Sequence, residues 1–568
     1  MNRFFRLALL ILIVGTMMIR IASAANYYVA ANGSDSNSGT SNTSAWLHAP
    51  GMPNCTGACA ATTIHAGDSV ILRGGDTWHV GNSSANPYTG GTWHFSTSGS
   101  SGNLIYIGVD KTWYTGSSWA RPIITGDNPV FNGTSYPASC TYDYGTPSIK
   151  SLVSISSYNQ FDNIEITGDC WSGNLGSGNP GMLNVPGNDT VTNIYCHGYT
   201  MTSTSVDTMG CIASSGQNNV IEYNIFDGSD APHWPSGNPN CTQVSNAPCS
   251  TGVAIYLAGQ TVAFNVFHYI RVGAVLVDSE YVHDNTFEYM ATSPTSTMQN
   301  AQHDDALMYY HGSTSASGVT EYLYNNVVRH NWLSQQFYIP VSGGSTAYIF
   351  NNVFYDNHNG TPSNCIQLNA QSSGTQTLMI YNNTFDNDTD SSSGDSNGCL
   401  IGMWGAEGGN AFGVAWNGPV YAANNHLIGY SNLSSLFVTR TAGGGAATYT
   451  INDNGGEVIQ ATSTARSQGY TQSETPVGDS PISGCTSSTC GTVQAGQSEA
   501  SSCSTFSSDN DLCSSTTRAA SESSPGVLTF PTMPVNTRPS SAWDSGAYQL
   551  SGGQGTPNPP TGLQASVQ

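Results

Sequence analysis

Charge is what this sequence has least of. Lys and Arg together number 13 in 568 residues, and the only lysines are Lys111 and Lys150. Asp and Glu number 36, so the formal net charge is −23. That balance excludes a nucleic-acid or anionic-membrane partner, since either needs clustered basic side chains. Long apolar runs are missing as well, except at the extreme N-terminus, so nothing in the body of the chain suits a membrane-spanning helix. Helical periodicity is absent too. Gly and Ser interrupt every segment, which leaves short strands as the building material.

The N-terminus reads as a targeting segment. In "MNRFFRLALLILIVGTMMIRIASAA", Arg3 and Arg6 precede an apolar run that stops at Arg20, and Ala22-Ser23-Ala24 follows. This is the pattern of a signal peptide over residues 1–24, with an uncleaved anchor helix as the alternative. The expectation is a chain secreted to the extracellular medium or periplasm, free of the membrane after cleavage. The 14 cysteines fit such an oxidising compartment. Four pairs are close in sequence: Cys55 and Cys59, Cys241 and Cys249, Cys485 and Cys490, Cys503 and Cys513. Local disulfides explain them better than zinc, because the spacings do not repeat and no paired His accompanies them. Nothing in the sequence points to oligomerisation, and a monomer is expected.

What the chain does have is a repeat. "YNIFDG" at 223 recurs as "FNVFHY", "DNTFEY", "NNVVRH", "NNVFYD", "NNTFDN" and "NNHLIG". The second residue is always Asn: Asn224, Asn265, Asn285, Asn326, Asn352, Asn383 and Asn425. Two places on stand Phe226, Phe267, Phe287, Val328, Phe354, Phe385 and Leu427. Short alternating apolar runs precede each copy. Irregular intervals with a fixed motif suit a solenoid, whose coils stack while insertions loop out. The Asn column fits stacked turns in which amides bond one another and the turn backbone, and the Phe column fits the interior. Seven coils at about 4.8 Å make about 34 Å of cylinder.

On these residues the chain resembles secreted right-handed parallel β-helix proteins of the pectate-lyase-like superfamily. "ANYYVAANGSDSNSGTSNTSAW" and "IHAGDSVILRGGDTW" resemble the opening segments of that group, and "RPSSAWDSGAYQL" its closing coil. The resemblance implies an all-β, single-stranded right-handed parallel β-helix over residues 25–550. Its clearest coils span about 150–437, irregular terminal coils cover 438–550, and a Gly/Pro-rich disordered tail follows over 551–568. The superfamily holds lyases, glycoside hydrolases, epimerases, adhesins and phage proteins, so fold alone does not choose a reaction.

The repeat also aligns the scarce charges. Three places after the Asn stand Asp227, His268, Glu288, Arg329, Tyr355, Asp386 and Ile428. Strand alternation turns this column outward, so His268, Glu288 and Arg329 form one file. The next column adds Tyr269, Tyr289, His330 and Asp356. The stretch "AQHDDALMYYHG" brings His303, Asp304, Asp305 and His311 toward the same corner. If Ala306 and Met308 point inward, Asp305, Tyr309 and His311 face solvent, and Asp304 takes a supporting or metal role.

Three functions are compatible with this corner. Glycoside hydrolysis needs two carboxyls, Asp305 with Glu288 or Asp304. Elimination on a polyuronate needs a base, from Arg329, Arg271, His303 or Tyr309, and calcium held by Asp304, Asp305 and Glu288. A non-catalytic carbohydrate-binding or surface protein needs neither. The expectation is an extracellular polysaccharide-cleaving enzyme, hydrolase or lyase. Asp305, Asp304, Glu288, Arg329 and His303 carry the chemistry, and His268, His311, His330, Tyr309 and Tyr289 hold the substrate.

Overall fold

The protein is described by a computed structural model over residues 24–80, 91–128, 151–171, 181–201, 210–214, 216–229, 251–256, 261–276, 281–290, 305–309, 320–333, 335–359, 365–370, 372–387, 399–405, 414–440, 446–470, 486–505, 511–515, 519–530 and 536–549. The leader and the Gly/Pro-rich tail lie outside these residues. Among the described residues no helix is long and apolar enough to cross a membrane.

Three long sheets of 13, 12 and 11 strands run the length of the molecule, and every strand pair within them is parallel. The chain visits the sheets in turn and rises one strand per circuit, giving a right-handed parallel β-helix. The strands are short. In the 12-stranded sheet most have three residues, as in Val266–His268 and Thr286–Glu288. The Phe column lies in register inside. Phe226 pairs with Phe267, Phe267 with Phe287, Phe287 with Val328, and Val328 with Phe354. Rings of successive coils stack at 4.9 Å (Phe226–Phe267) and 4.7 Å (Phe267–Phe287) in one continuous core.

The Asn column forms a buried hydrogen-bonded ladder at the corner between the 13- and 12-stranded sheets. Beyond Asn224, each Oδ1 accepts both the backbone N–H and the side-chain N–H of the preceding Asn: Asn265 onto Asn285, Asn285 onto Asn326, Asn326 onto Asn352, at 3.0–3.1 Å. Each Nδ2 also donates to a backbone carbonyl, as Asn326 does to Val282. The ladder ends on the side-chain carboxyl of Glu457, at which both Asn425 N–H groups point. The residue before each Asn has a left-handed backbone, from Tyr223 (φ 61°) to Asn424 (φ 58°). That conformation turns the corner, and the ladder bonds offset its cost.

Disulfides close locally at Cys55–Cys59 and Cys503–Cys513, and across coils at Cys196–Cys211 and Cys365–Cys399. The pair Cys241 and Cys249 lies outside the described residues, as does Cys485.

The C-terminal stretch does not extend the stack beyond its last sheet strands at 448–453 and 458–460. It returns along the outside of the cylinder. Residues 521–524 and 527–529 form an antiparallel hairpin. Its tip reaches the early coils, where Arg121 Nη1 donates to the Gly526 carbonyl. Trp543 then packs against Tyr324, Phe350, Tyr381 and Ala423, and the Ala547 N–H donates to Thr384 Oγ1. Much of "RPSSAWDSGAYQL" is therefore a strap over the coils rather than a closing coil.

Candidate functional site

The outward column of the 12-stranded sheet is in register. Asp227 pairs with His268, His268 with Glu288, Glu288 with Arg329, and Arg329 with Tyr355. It was expected at the surface, and here the structure corrects the sequence reading. His268, Glu288 and Arg329 are all buried, because the C-terminal strap lies on them. Thr286 Oγ1 donates to the Ala520 carbonyl, and Ala519, Ala547 and Tyr548 pack on Val327, Val353 and Tyr355. Alternation along a strand predicts which face a side chain takes, but not what a distant segment later lays over that face.

Two polar groups share this buried file. In the first, Arg329 Nε donates to Glu288 Oε2 at 2.8 Å, Nη2 donates to the same oxygen, and Nη1 donates to Tyr355 Oη at 3.0 Å. Burial works against the guanidinium charge, but Glu288 and Tyr355 outweigh it and push Arg329 above its ordinary range. Arg329 is thus held as a cation and does not serve as a base. In the second, His268 Nε2 lies between Asp227 Oδ1, at 3.2 Å, and Glu522 Oε2 from the strap. Asp227 Oδ2 accepts from the hydroxyls of Tyr195 and Ser229, both at 2.9 Å. Burial disfavours the imidazolium, yet the two carboxylates prevail and His268 is pushed up to about 10. Burial would likewise raise Asp227, but His268 and Ser229 hold it well below the usual carboxylate range.

The next column stays partly open. Tyr269, Tyr289, His330 and Asp356 are half-buried and follow the strands at the second corner. All four have left-handed backbone (φ 55°, 51°, 54° and 48°), where other coils place Gly168, Gly198 or Gly429. Bulky residues there carry strain of about 1–3 kcal/mol each, which is often retained where a side chain has a task. Tyr269 stacks on Tyr289 at 5.5 Å and Tyr289 on His330 at 5.1 Å. Their faces are therefore occupied by one another, and what they offer a ligand is edges and polar tips. His330 Nδ1 donates to Asp356 Oδ2 at 2.6 Å. His330 Nε2 is shielded and makes no hydrogen bond among the described residues.

The opening of strand Asp305–Tyr309 differs from the sequence reading. Ala306 joins the core as expected, but so do Leu307 and Tyr309, while Met308, expected inward, is partly exposed. Tyr309 is therefore no substrate contact at the surface. Asp305 is fully buried in the 11-stranded sheet, opposite Gln335. His303, Asp304 and His311 lie outside the described residues. Of the expected calcium set, Glu288 and Asp305 are not brought together, and Asp304 lies outside the described residues. Glu288 Oε2 is engaged by two Arg329 N–H groups, and Asp305 stands on a different sheet from Glu288. The sequence reading missed Glu522 and the His330–Asp356 pairing. The pairing was available from the repeat, since 330 and 356 occupy one column. Glu522 carried no local signal.

No family model matches the chain, and no curated protein matches it. Among solved structures it is similar to pectate lyase Pel9A, at 15% identity over 93% of this chain and 97% of that one, with a TM-score of 0.38. It is similar to a rhamnogalacturonan lyase at 13% identity over 81% and 95%, TM-score 0.36. It is also similar to a GH136 lacto-N-biosidase from Eubacterium ramulus at 13% identity over 77% and 68%, TM-score 0.31. Fold assignment rests instead on the strand ladders: three parallel sheets wound turn by turn from one chain make this a right-handed parallel β-helix protein.

Proposed function

We propose that the protein is an extracellular polysaccharide-cleaving enzyme acting through His330 at the outer corner of the solenoid. The observation that carries this reading is the His330–Asp356 pair, at 2.6 Å. Asp356 accepts the Nδ1–H hydrogen bond, which fixes the tautomer and leaves the Nε2 lone pair as a base. That nitrogen makes no hydrogen bond among the described residues.

Elimination on a uronate uses one such base. The proton on the carbon beside the carboxylate passes to Nε2, a carbon–carbon double bond forms, and the adjacent glycosidic C–O bond breaks. The departing oxygen then takes up a proton. Hydrolysis needs two free carboxyls, whereas at this corner Asp356 is bonded to His330 and Glu288 is committed to Arg329. Elimination is therefore the favoured chemistry, with hydrolysis as its competitor. Tyr289 and Tyr269 line the corner beside the base.

The test is a polysaccharide panel with the purified chain. Unsaturated products absorbing in the ultraviolet support elimination, and new reducing ends without that absorbance mean hydrolysis. His330→Ala should lower the rate at least about 100-fold with an unchanged melting temperature. Sugar binding with no product from any glycan would leave a binding protein instead. Full activity in His330→Ala would place the chemistry elsewhere.

A further inference from the structure

Asp227, His268 and Glu522 meet beneath the strap, far apart in sequence and independent of the corner chemistry. One ligand atom from each lies within 4.8 Å of the other two. All three residues are removed from water, with side-chain exposures of 3%, 10% and 4%. Their contacts are close but poorly satisfied. His268 Nε2 faces both carboxylates, yet neither approach has hydrogen-bond geometry, and both Nε2 and Glu522 Oε2 are left without a hydrogen bond. Buried polar atoms are rarely left this way. Two carboxylate oxygens and an imidazole nitrogen converging on one point satisfy each other far better around a cation.

We propose that Asp227, His268 and Glu522 bind one divalent transition metal ion, zinc above all, which displaces the His268 Nε2 proton to solvent and fastens the C-terminal strap to the solenoid. The donor set is suited to zinc, which takes imidazole nitrogen and carboxylate oxygen in small coordination numbers. Calcium is a poor match, since it prefers six to eight oxygens. The surroundings are those of a supported metal ligand. Asp227 is fixed by Tyr195 Oη, Ser229 Oγ and the Ser229 N–H. On its far side His268 Nδ1 faces Glu288 Oε1 at 3.9 Å. Such outer groups orient the ligands and set the imidazole tautomer. Because Glu522 arrives on the hairpin while Asp227 and His268 belong to adjacent coils, the ion would tie the two parts together.

The full chain is purified without added metal, dialysed against chelator and titrated with zinc chloride, with calcium chloride in parallel. The expected result is one zinc ion per chain, no comparable calcium binding, and slower proteolysis of the C-terminal strap in the zinc-loaded form. Glu522→Gln and Asp227→Asn should each weaken zinc binding at least about 100-fold. His283→Ala, at a histidine paired instead with Asp284, should leave it unchanged. The wild-type titration decides by itself if a variant fails to fold. Absence of zinc binding in the micromolar range by the wild-type chain overturns the proposal, as does undiminished binding in a folded Glu522→Gln.

Discussion

Replacing Asn326 by Ala tests whether the asparagine ladder holds the coils together. Its Oδ1 accepts from the backbone N–H and the side-chain N–H of Asn285, both at 3.1 Å. Its Nδ2 donates to Asn352 Oδ1 at 3.0 Å and to the Val282 carbonyl at 2.9 Å. Alanine removes all of these at once. Asn352 Oδ1 keeps a partner in the backbone N–H of residue 326. The two Asn285 donors and the Val282 carbonyl are left in a fully buried wall. An orphaned buried group costs about 1–3 kcal/mol, so the loss should be at least about 3 kcal/mol. Asn326→Asp should be worse at neutral pH, because it turns a carboxylate toward two acceptors, and should partly recover in acid. Asn417→Ala, at an exposed strand position, serves as control and should stay within about 0.5 kcal/mol. Urea unfolding followed by tryptophan fluorescence measures all three. A loss below about 1 kcal/mol for Asn326→Ala would refute the reasoning. It would mean that these amides exchange protein partners for water at no net cost.

Glu457, the ladder's last acceptor, is pushed up to about 8 by burial, which the two Asn425 donors only partly oppose. Its folded form therefore keeps a proton that the unfolded chain releases near the ordinary value of 4.5. Stability should fall as pH rises between those two values, by at most about 5 kcal/mol, and melting of Glu457→Gln should lose this component. For the buried Glu288–Arg329 pair, Glu288→Leu or Arg329→Met alone should cost about 3–5 kcal/mol, and the two together much less than their sum. A double-mutant cycle by chemical denaturation checks it, and additive losses would contradict it. Trp543→Ala should cost about 3–5 kcal/mol through the cavity left against Phe350 and Tyr381. It should also speed proteolytic release of the strap; equal cleavage rates would show that Trp543 does not anchor it.

The sequence made the solenoid legible because its determinants are local and periodic. Asn285 and Phe287 recur in their own columns, and each column means one thing in every coil. The inward rings and the amide ladder follow directly. The register that brings His268, Glu288 and Arg329 together is legible for the same reason. The burial of that file is not, because it depends on Ala520 and Glu522, which lie more than 190 residues further along the chain than Arg329 and carry no repeat to align them with it. The sides taken by Leu307, Met308 and Tyr309 escape the sequence for a related cause. Leu307, Met308 and Tyr309 are all apolar, so alternation gave no contrast to fix the inward face. The left-handed corner at His330 also escaped notice, since aromatic residues stand there in place of the glycines of other coils.

A solenoid of this kind ordinarily grows by adding one rung to the last, and each rung speaks only to its neighbours. The bond from Arg121 to Gly526 spans 405 residues and breaks that economy. The early coils cannot reach their final state until the last part of the chain has emerged and folded back. Maturation thus gains a late, slow, long-range step, and a chain truncated before residue 519 would expose its buried ionic file to water.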